Sequence, residues 1–403
     1  MQKRTAIFTG GGTGGHIYPN LALIPDFEKK GFLPLYVGGT GDTMERRLSN
    51  RHSIPYRAVP TIKFARGLTL DGLKNNLKIP VTLKRGVDEA KKIIKDSSPA
   101  FVFSKGGFVS LPMVIAAAKL GVPVFAHESD RTLGLANKIA KFYGATILKG
   151  NPMATFEGES VGIPLRKELF ENDRASALQK LGLFAVKKKI LLVIGGSSGA
   201  TALNRFVKAN LKTLTDKFFV LHITGRGKTD KLRHDDYLSF EYADEISDFY
   251  FASDVVLSRA GATAVAEISS LKKRAVFVPL PKGASRGDQL FNAKLAEDYG
   301  AQTTLQSADE KTFFDNLLTS LDIAAKNPPM RPVSTDTNGK IVSLVCDSIG
   351  AQVNYAKTKN DGKMACRDSA VDGGGGLLRD FQHGAQKGLA RSIDGSGKHK
   401  AND

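Results

Sequence analysis

The sequence predicts an α/β protein built from two doubly wound units in tandem. Three observations predict it. Apolar runs of strand length alternate with helical stretches in both halves. Each half carries a glycine-rich loop between a strand and a helix. The 403 residues also exceed the roughly 250–300 at which a single core stops growing.

The elements follow in order. "TAIFTG" reads as a short buried strand. "PNLALIPDFEKKG" reads as a helix, with Leu21, Ile24 and Phe27 at helical spacing and Gly31 as its stop. Between them lies "GGGTGGH". Glycine loses more freedom on folding than any other residue, so such a loop suits a place where something approaches the backbone closely. Its amides lie over a helix N-terminus, which favours an anion, most often a phosphate. A tight turn without a ligand is the plainer alternative. The spacing Gly10-x-Gly12-x-x-Gly15 matches the dinucleotide fingerprint, but that fingerprint wants an acid at the end of the next strand. That strand, "LPLYVGG", ends in glycines, which lowers the weight of a dinucleotide.

"PLYVGG" then precedes "DTMERRLSNR", "AFVFSKGG" precedes "SLPMVIAAAKLG", and "VPVFAHE" leads into "GLANKIAKFYG". Such alternation implies a parallel sheet covered by helices on both faces, with ligands at the C-terminal ends of the strands. Polar clusters fall there, at Ser104–Gly107 and His127–Asp130. The second half repeats the pattern in "KKKILLVIGGSSGATALNRFV", "FFVLHITG", "DVVLSRAGATAVAEISSL" and "AVFVPLP". The join lies near "GESVGIPLRKELF". From about residue 350 glycine and charge dominate, and the tail is expected to be disordered.

The formal net charge of +18 points to an anionic partner: nucleic acid, a membrane surface or a phosphorylated substrate. No aromatic RNA-binding motif or zinc-finger spacing supports nucleic acid. No apolar run reaches the ~20 residues of a membrane span, and the N-terminus does not read as a signal peptide. Two cysteines, Cys346 and Cys366, form no disulfide or metal pattern, which fits a reducing cytoplasm. No acidic metal-binding pair is in view, so neither a metal nor a cofactor is expected. The stretch from Ile62 to Lys95 mixes Ile62, Phe64, Leu68, Leu70, Leu73 and Leu77 with Lys63, Arg66, Lys74, Lys78, Lys84 and Arg85. It reads either as an anionic-membrane surface or as an ordinary amphipathic helix facing a core.

Four constellations can carry chemistry. Ser197 and Ser198 in "GGSSGA" can add hydroxyls to converging amides around a phosphate, or one can cap the helix. Glu267, among small residues in "SRAGATAVAE", can bind two ribose hydroxyls or support the helix dipole from the first turn. Asp288, Gln289 and Asn292 suit sugar hydroxyls, or loop polarity and capping. His16, closing the first loop, can accept a proton or hold the loop together.

Together, "GGTGGHIYPNLAL", "SKGGFVSLP", "HESD…GLANK", "GIPLR", "GGSSGATALN", "SRAGATAVAE" and "DQLFNA" occur in an order that resembles the MurG family of peptidoglycan N-acetylglucosaminyltransferases. The resemblance runs to about residue 350. It implies a B-type glycosyltransferase, two Rossmann-like domains facing a cleft. Residues 1–163 would form the acceptor and membrane-associating domain, joined by a returning helix near 337–350. Residues 164–336 would bind the UDP-sugar, leaving 351–403 as a tail. N-acetylglucosamine would pass from UDP-N-acetylglucosamine to an undecaprenyl-pyrophosphoryl-N-acetylmuramoyl-peptide at the cytoplasmic face of the cell membrane. That reaction serves cell-wall synthesis and, through it, cell shape and division.

The resemblance also implies residue roles. Thr13, Gly14 and Gly15 would reach the donor phosphates, with His16 as base. Arg166 stands at the hinge and Ser197 on the phosphate. Ala243 would offer backbone to uracil, Glu267 would hold ribose, and Gln289 and Asn292 would touch the sugar. Ser198, Asp130 and Ile163 depart from the family pattern. A diacylglycerol glycosyltransferase or a sugar-nucleotide epimerase is the alternative on the same fold.

Overall fold

A computed structural model describes residues 4–64, 70–196, 199–228, 232–281, 287–333 and 336–351. Residues 4–349 belong to one compact unit holding two parallel sheets. The first comprises β1 (Arg4–Thr9), β2 (Phe32–Gly39), β3 (Tyr56–Val59), β4 (Phe101–Ser104), β5 (Val124–Glu128), β6 (Thr146–Lys149) and β7 (Glu159–Ser160), in the order β3-β2-β1-β4-β5-β6-β7. The second comprises β8 (Lys189–Ile194), β9 (Phe218–Ile223), β10 (Tyr237–Phe240), β11 (Val255–Ser258), β12 (Arg274–Phe277) and β13 (Gln302–Thr303), in the order β10-β9-β8-β11-β12-β13.

Period-2 alternation explains how each sheet is covered on both sides. In β1, Ala6 and Phe8 face one core while Ile7 faces the other. The first core is closed by α1 (Tyr18–Lys29), α2 (Met44–Arg51) and a helix over residues 337–351. The second is closed by α4 (Ile79–Ser97), which follows the short α3 (Leu70–Leu77), and by α5 (Leu111–Lys119) and α6 (Leu135–Phe142). In the other half, α7 (Arg174–Lys180), α10 (Ile246–Ala252), α11 (Ala262–Ser270) and α12 (Asp288–Asp298) cover one face. There α8 (Thr201–Ala209), α9 (Leu211–Lys217) and α13 (Glu310–Ala324) cover the opposite face.

The helix over 337–351 inserts Ile341, Val342, Val345 and Ile349 into the first half's core, although it follows the second half in sequence. Asn338, near its start, fastens the crossing. Its amide nitrogen donates to the carbonyls of Ala22 and Leu165, each at 3.0 Å, and its oxygen accepts from the Leu165 N–H at 3.2 Å.

In both sheets the strand order reverses beside the first strand, and register brings two loops out together. Thr9 is level with Ser104, so Gly10 and Lys105 leave the first sheet side by side. Ile194 is level with Ser258, so Gly195 and Arg259 leave the second in the same way. These switch points are where open α/β sheets bind ligands.

Candidate active site

The first loop turns through a short 3-10 helix, Gly14–His16, into α1. Thr13 and Gly15 are exposed and Gly14 is buried. Gly15 approaches the other half: a Cβ placed on it would lie 3.7 Å from Thr263 Oγ1, in the first turn of α11. His16 Nδ1 is 3.2 Å from the Gly11 carbonyl oxygen and 3.2 Å from Thr13 Oγ1. A carbonyl only accepts, so Nδ1 donates, and in the neutral ring Nε2 carries the lone pair. Beneath the loop, the Tyr36 hydroxyl donates to the Gly10 carbonyl at 2.8 Å, and Asn20 donates to the Thr9 carbonyl at 3.1 Å.

Beside it lies the polar cluster of β4 and β5. Lys105 is buried, and burial pushes its ammonium down against the pull of Glu128 and Asp130. Glu128 accepts from the Asp130 N–H at 3.1 Å, the Gly134 N–H at 2.8 Å and the Asn137 amide at 3.1 Å. His127 Nε2 donates to the Gly162 carbonyl at 2.7 Å, leaving Nδ1 buried with no hydrogen-bond partner. Burial, reinforced by the Lys105 charge, holds this imidazole well below its ordinary value.

The second half supplies the opposite wall. Glu267 is the sixth residue of α11, so it does not support the helix dipole from the first turn. It lies largely buried and accepts from the Tyr250 hydroxyl at 3.2 Å. Burial raises its carboxyl, against the Arg166 charge and the Tyr250 hydrogen bond. The Arg166 guanidinium sits 4.2 Å from the Tyr18 ring centre, with Nε buried and unpartnered. The hydroxyls of Tyr18 and Tyr242 meet across the cleft at 2.7 Å. Ala243, the next residue, packs against the second half's core.

The second glycine loop starts at Gly195. Gly199 adopts φ +67°, and a Cβ there would lie 2.0 Å from the Thr224 carbonyl oxygen, so only glycine fits. Asn204 braces the same carbonyl at 2.9 Å and meets His222 Nε2 at 3.0 Å. Ser197 and Ser198 lie outside the described residues.

In α12 the Gln289 side-chain oxygen accepts from the Leu280 N–H at 3.0 Å. Asn292 is buried, with its oxygen accepting from Asn151 at 3.3 Å and its nitrogen donating to the Ala260 carbonyl at 3.1 Å. Asp288 accepts from Thr132 across the cleft at 2.9 Å. The structure thus gathers Thr13–His16, Arg166 and Glu267 around one cleft, and uses Asn292 partly to join its walls. Sequence reasoning missed Glu45, Tyr18, Tyr242 and Tyr250. The aromatics carry no motif, and Glu45 lies in "DTMERRLSNR", which reads only as a helical stretch.

Two Rossmann-like domains that face each other, with glycine loops at both switch points, make the fold of the B-type glycosyltransferases. The glycosyltransferase family 28 N-terminal domain matches residues 6–148, and its C-terminal domain matches residues 190–339. The chain belongs to this family and, within it, to the MurG family. It is 40% identical over 321 residues to a Clostridium botulinum protein, covering 77% of this chain and 89% of that one. It is 36% identical over 358 residues to a Lachnoclostridium phytofermentans protein, covering 84% and 97%. Both relatives are named UDP-N-acetylglucosamine–N-acetylmuramyl-(pentapeptide) pyrophosphoryl-undecaprenol N-acetylglucosamine transferase. The crystal structure of Acinetobacter baumannii MurG matches 85% of this chain and 99% of its own, with TM-score 0.62 and 24% identity, a likeness of fold.

Proposed function

We propose that this protein transfers N-acetylglucosamine from UDP-N-acetylglucosamine to the 4-hydroxyl of an undecaprenyl-pyrophosphoryl-N-acetylmuramoyl-peptide, with inversion. The observation that carries the reading is 40% identity, over 77% of the chain, to a transferase named for that donor and acceptor. Residues 1–163, with the helix near 337–350, take the acceptor. Residues 164–336 take the donor, and residues 351–403 lie outside both.

The acceptor 4-oxygen attacks the anomeric carbon as the bond to UDP breaks on the opposite face. His16 takes the hydroxyl proton at Nε2. The diphosphate is assigned to Thr13, Gly14, Gly15, Arg166 and, by the family resemblance, Ser197, and fixed dipoles can stabilise its growing charge without reorganising. Ala243 presents backbone to uracil and Glu267 accepts from the ribose hydroxyls. Gln289 and Asn292 shape the sugar subsite, Asn292 by holding Asn151 and the Ala260 turn together.

Among the described residues, no helix is long and apolar enough to cross a membrane. The acceptor is lipid-linked, so the first half must reach the bilayer. Phe64, Leu77 and Val81 are 55%, 77% and 64% exposed, beside exposed Lys63, Lys74, Lys78, Lys84 and Arg85. Further along α4, Val87, Ala90, Ile93 and Ile94 are buried. One amphipathic stretch therefore anchors with its far end and offers its near end. Arg66 and Leu68, and the side chains of Leu70 and Leu73, lie outside the described residues. Such a surface suits peripheral binding to an anionic leaflet at the cytoplasmic face.

Acceptor-dependent release of UDP tests the function. UDP should appear with the muramoyl-linked lipid and not with diacylglycerol or donor alone. Release with diacylglycerol, or epimerisation of the donor sugar without acceptor, would replace this reading.

A further inference from the structure

Glu45 is a carboxylate where surface chemistry would place none. It stands in the first turn of α2 and is 1% exposed. It is wedged between two glycine segments: a Cβ on Gly11 would lie 2.7 Å from its Cδ, and one on Gly38 would lie 2.7 Å from its Cγ. Its oxygens accept from different backbone groups, Oε1 from the Gly39 N–H at 3.3 Å and Oε2 from the Gly12 N–H at a longer 3.5 Å. Tyr56 fixes the Gly39 carbonyl at 2.7 Å, as Tyr36 fixes that of Gly10 at 2.8 Å. A charge buried in this way is costly unless it is hydrogen-bonded, so the site is built around it.

The peptide between Gly11 and Gly12 is one rigid plane. Its N–H faces Glu45, and its carbonyl oxygen is the atom 3.2 Å from His16 Nδ1. We propose that Glu45 is a positioning residue that acts through this single peptide to hold His16 with its proton on Nδ1 and its lone pair on Nε2. The proposal rests on His16 being the base. A carboxylate against the N–H polarises the peptide and strengthens its oxygen as an acceptor. The logic is that of a carboxylate orienting a catalytic histidine, with a peptide group interposed. The same carboxylate occupies the Gly12 amide, so a diphosphate is left the amides of Thr13–Gly15, on the side where Gly15 meets Thr263.

Two measurements test it. Nitrogen-15 NMR of the histidine-labelled wild-type enzyme, with His16 assigned by its loss in His16→Ala, should show the Nδ1–H tautomer; the Nε2–H tautomer overturns the proposal with no change to Glu45 needed. Glu45→Gln offers one acceptor oxygen where two N–H groups need one each. It should lower kcat roughly 10–100-fold, part of the ~10²–10⁴ that a positioned base supplies, with KM for the donor within about twofold. Glu45→Asp keeps the charge; it should recover part of that loss, and it replaces the Gln variant if that one does not fold. Placed in the His16→Ala background, either change should cost less than about twofold more, because the two residues act as one unit. An equal cost in both backgrounds would make Glu45 a mere support of the fold and overturn the proposal. Full activity of His16→Ala would instead refute the base assignment, while Glu45→Gln should still shift the His16 tautomer signal, and an unshifted signal overturns the proposal.

Discussion

The two halves carry the same strand–glycine loop–helix motif and furnish it in opposite ways. Under the first loop lie a buried carboxylate, Glu45, and two tyrosines, Tyr36 on the loop's Gly10 carbonyl and Tyr56 on the Gly39 carbonyl that ends β2. Glu45 takes the Gly12 and Gly39 amides, and the Gly11 carbonyl of the same peptide meets His16. The second loop is braced from behind by Asn204, itself held by His222, on the Thr224 carbonyl, with Glu267 on the neighbouring helix α11. The buried histidines differ too. His222 is bonded at both nitrogens, to Tyr237 at 2.9 Å and Asn204 at 3.0 Å, whereas His127 leaves Nδ1 unpartnered. A glycine loop therefore reports that something approaches the backbone, while the groups that support it differ between the two halves.

If the first loop does chemistry and the second holds the donor, substitutions in the two should separate turnover from affinity. The largest effect is expected at His16. His16→Ala should lower kcat by about 10²–10⁴, with UDP affinity by calorimetry within about twofold. Equal losses in both would erase the contrast and make His16 structural. Glu267→Ala should do the reverse, weakening UDP and UDP-sugar together by about 1.5–3 kcal/mol for a lost charge-assisted hydrogen bond. An unchanged UDP affinity would remove the ribose assignment.

The outer faces sharpen the comparison further. Neutralising Lys74, Lys78, Lys84 and Arg85 together should release the protein from anionic vesicles in a sedimentation assay, each contributing about 1 kcal/mol. Raised salt should mimic the loss. Retained binding would place the membrane contact elsewhere, and tight binding to DNA with none to vesicles would give the charge another partner.

The smallest effect concerns His127. Its folded value lies well below the ordinary imidazole value near 6.5. The unfolded chain therefore binds a proton that the folded chain refuses, and stability is full above about pH 6.5 and lost as pH falls below it. Thermal or denaturant unfolding of His127→Gln should show a shallower decline below pH 6.5, by up to about 1.4 kcal/mol per pH unit. An unchanged slope would mean that His127 is protonated in the fold.

Much of this was legible in the residues. Alternating apolar runs give both sheets, because strands buried on two faces must be apolar throughout, as Phe101–Phe103 are. The glycine loops mark both switch points. The site's supports were less visible. The glycines that end β2 read only as the lack of a ribose-binding acid, yet they leave the space into which Glu45 packs. Only the folded chain shows that Gly12 and Gly39 share this carboxylate. Tyr18 and Tyr242 are 224 residues apart, and no local pattern announces a contact across the cleft. Glu267 was legible as a candidate, but its place in the helix, which separates binding from dipole support, required the observed start of α11 at Ala262.

The central claim is that one cleft takes a sugar from UDP and gives it to a lipid-linked muramoyl-peptide. It is tested most directly by the product of labelled UDP-N-acetylglucosamine incubated with that acceptor and diacylglycerol in one vesicle preparation. Mass spectrometry and NMR should find the label as a β-linked N-acetylglucosamine on the 4-oxygen of the muramoyl sugar. Label on diacylglycerol, an α linkage, or an epimerised free sugar nucleotide would contradict the account.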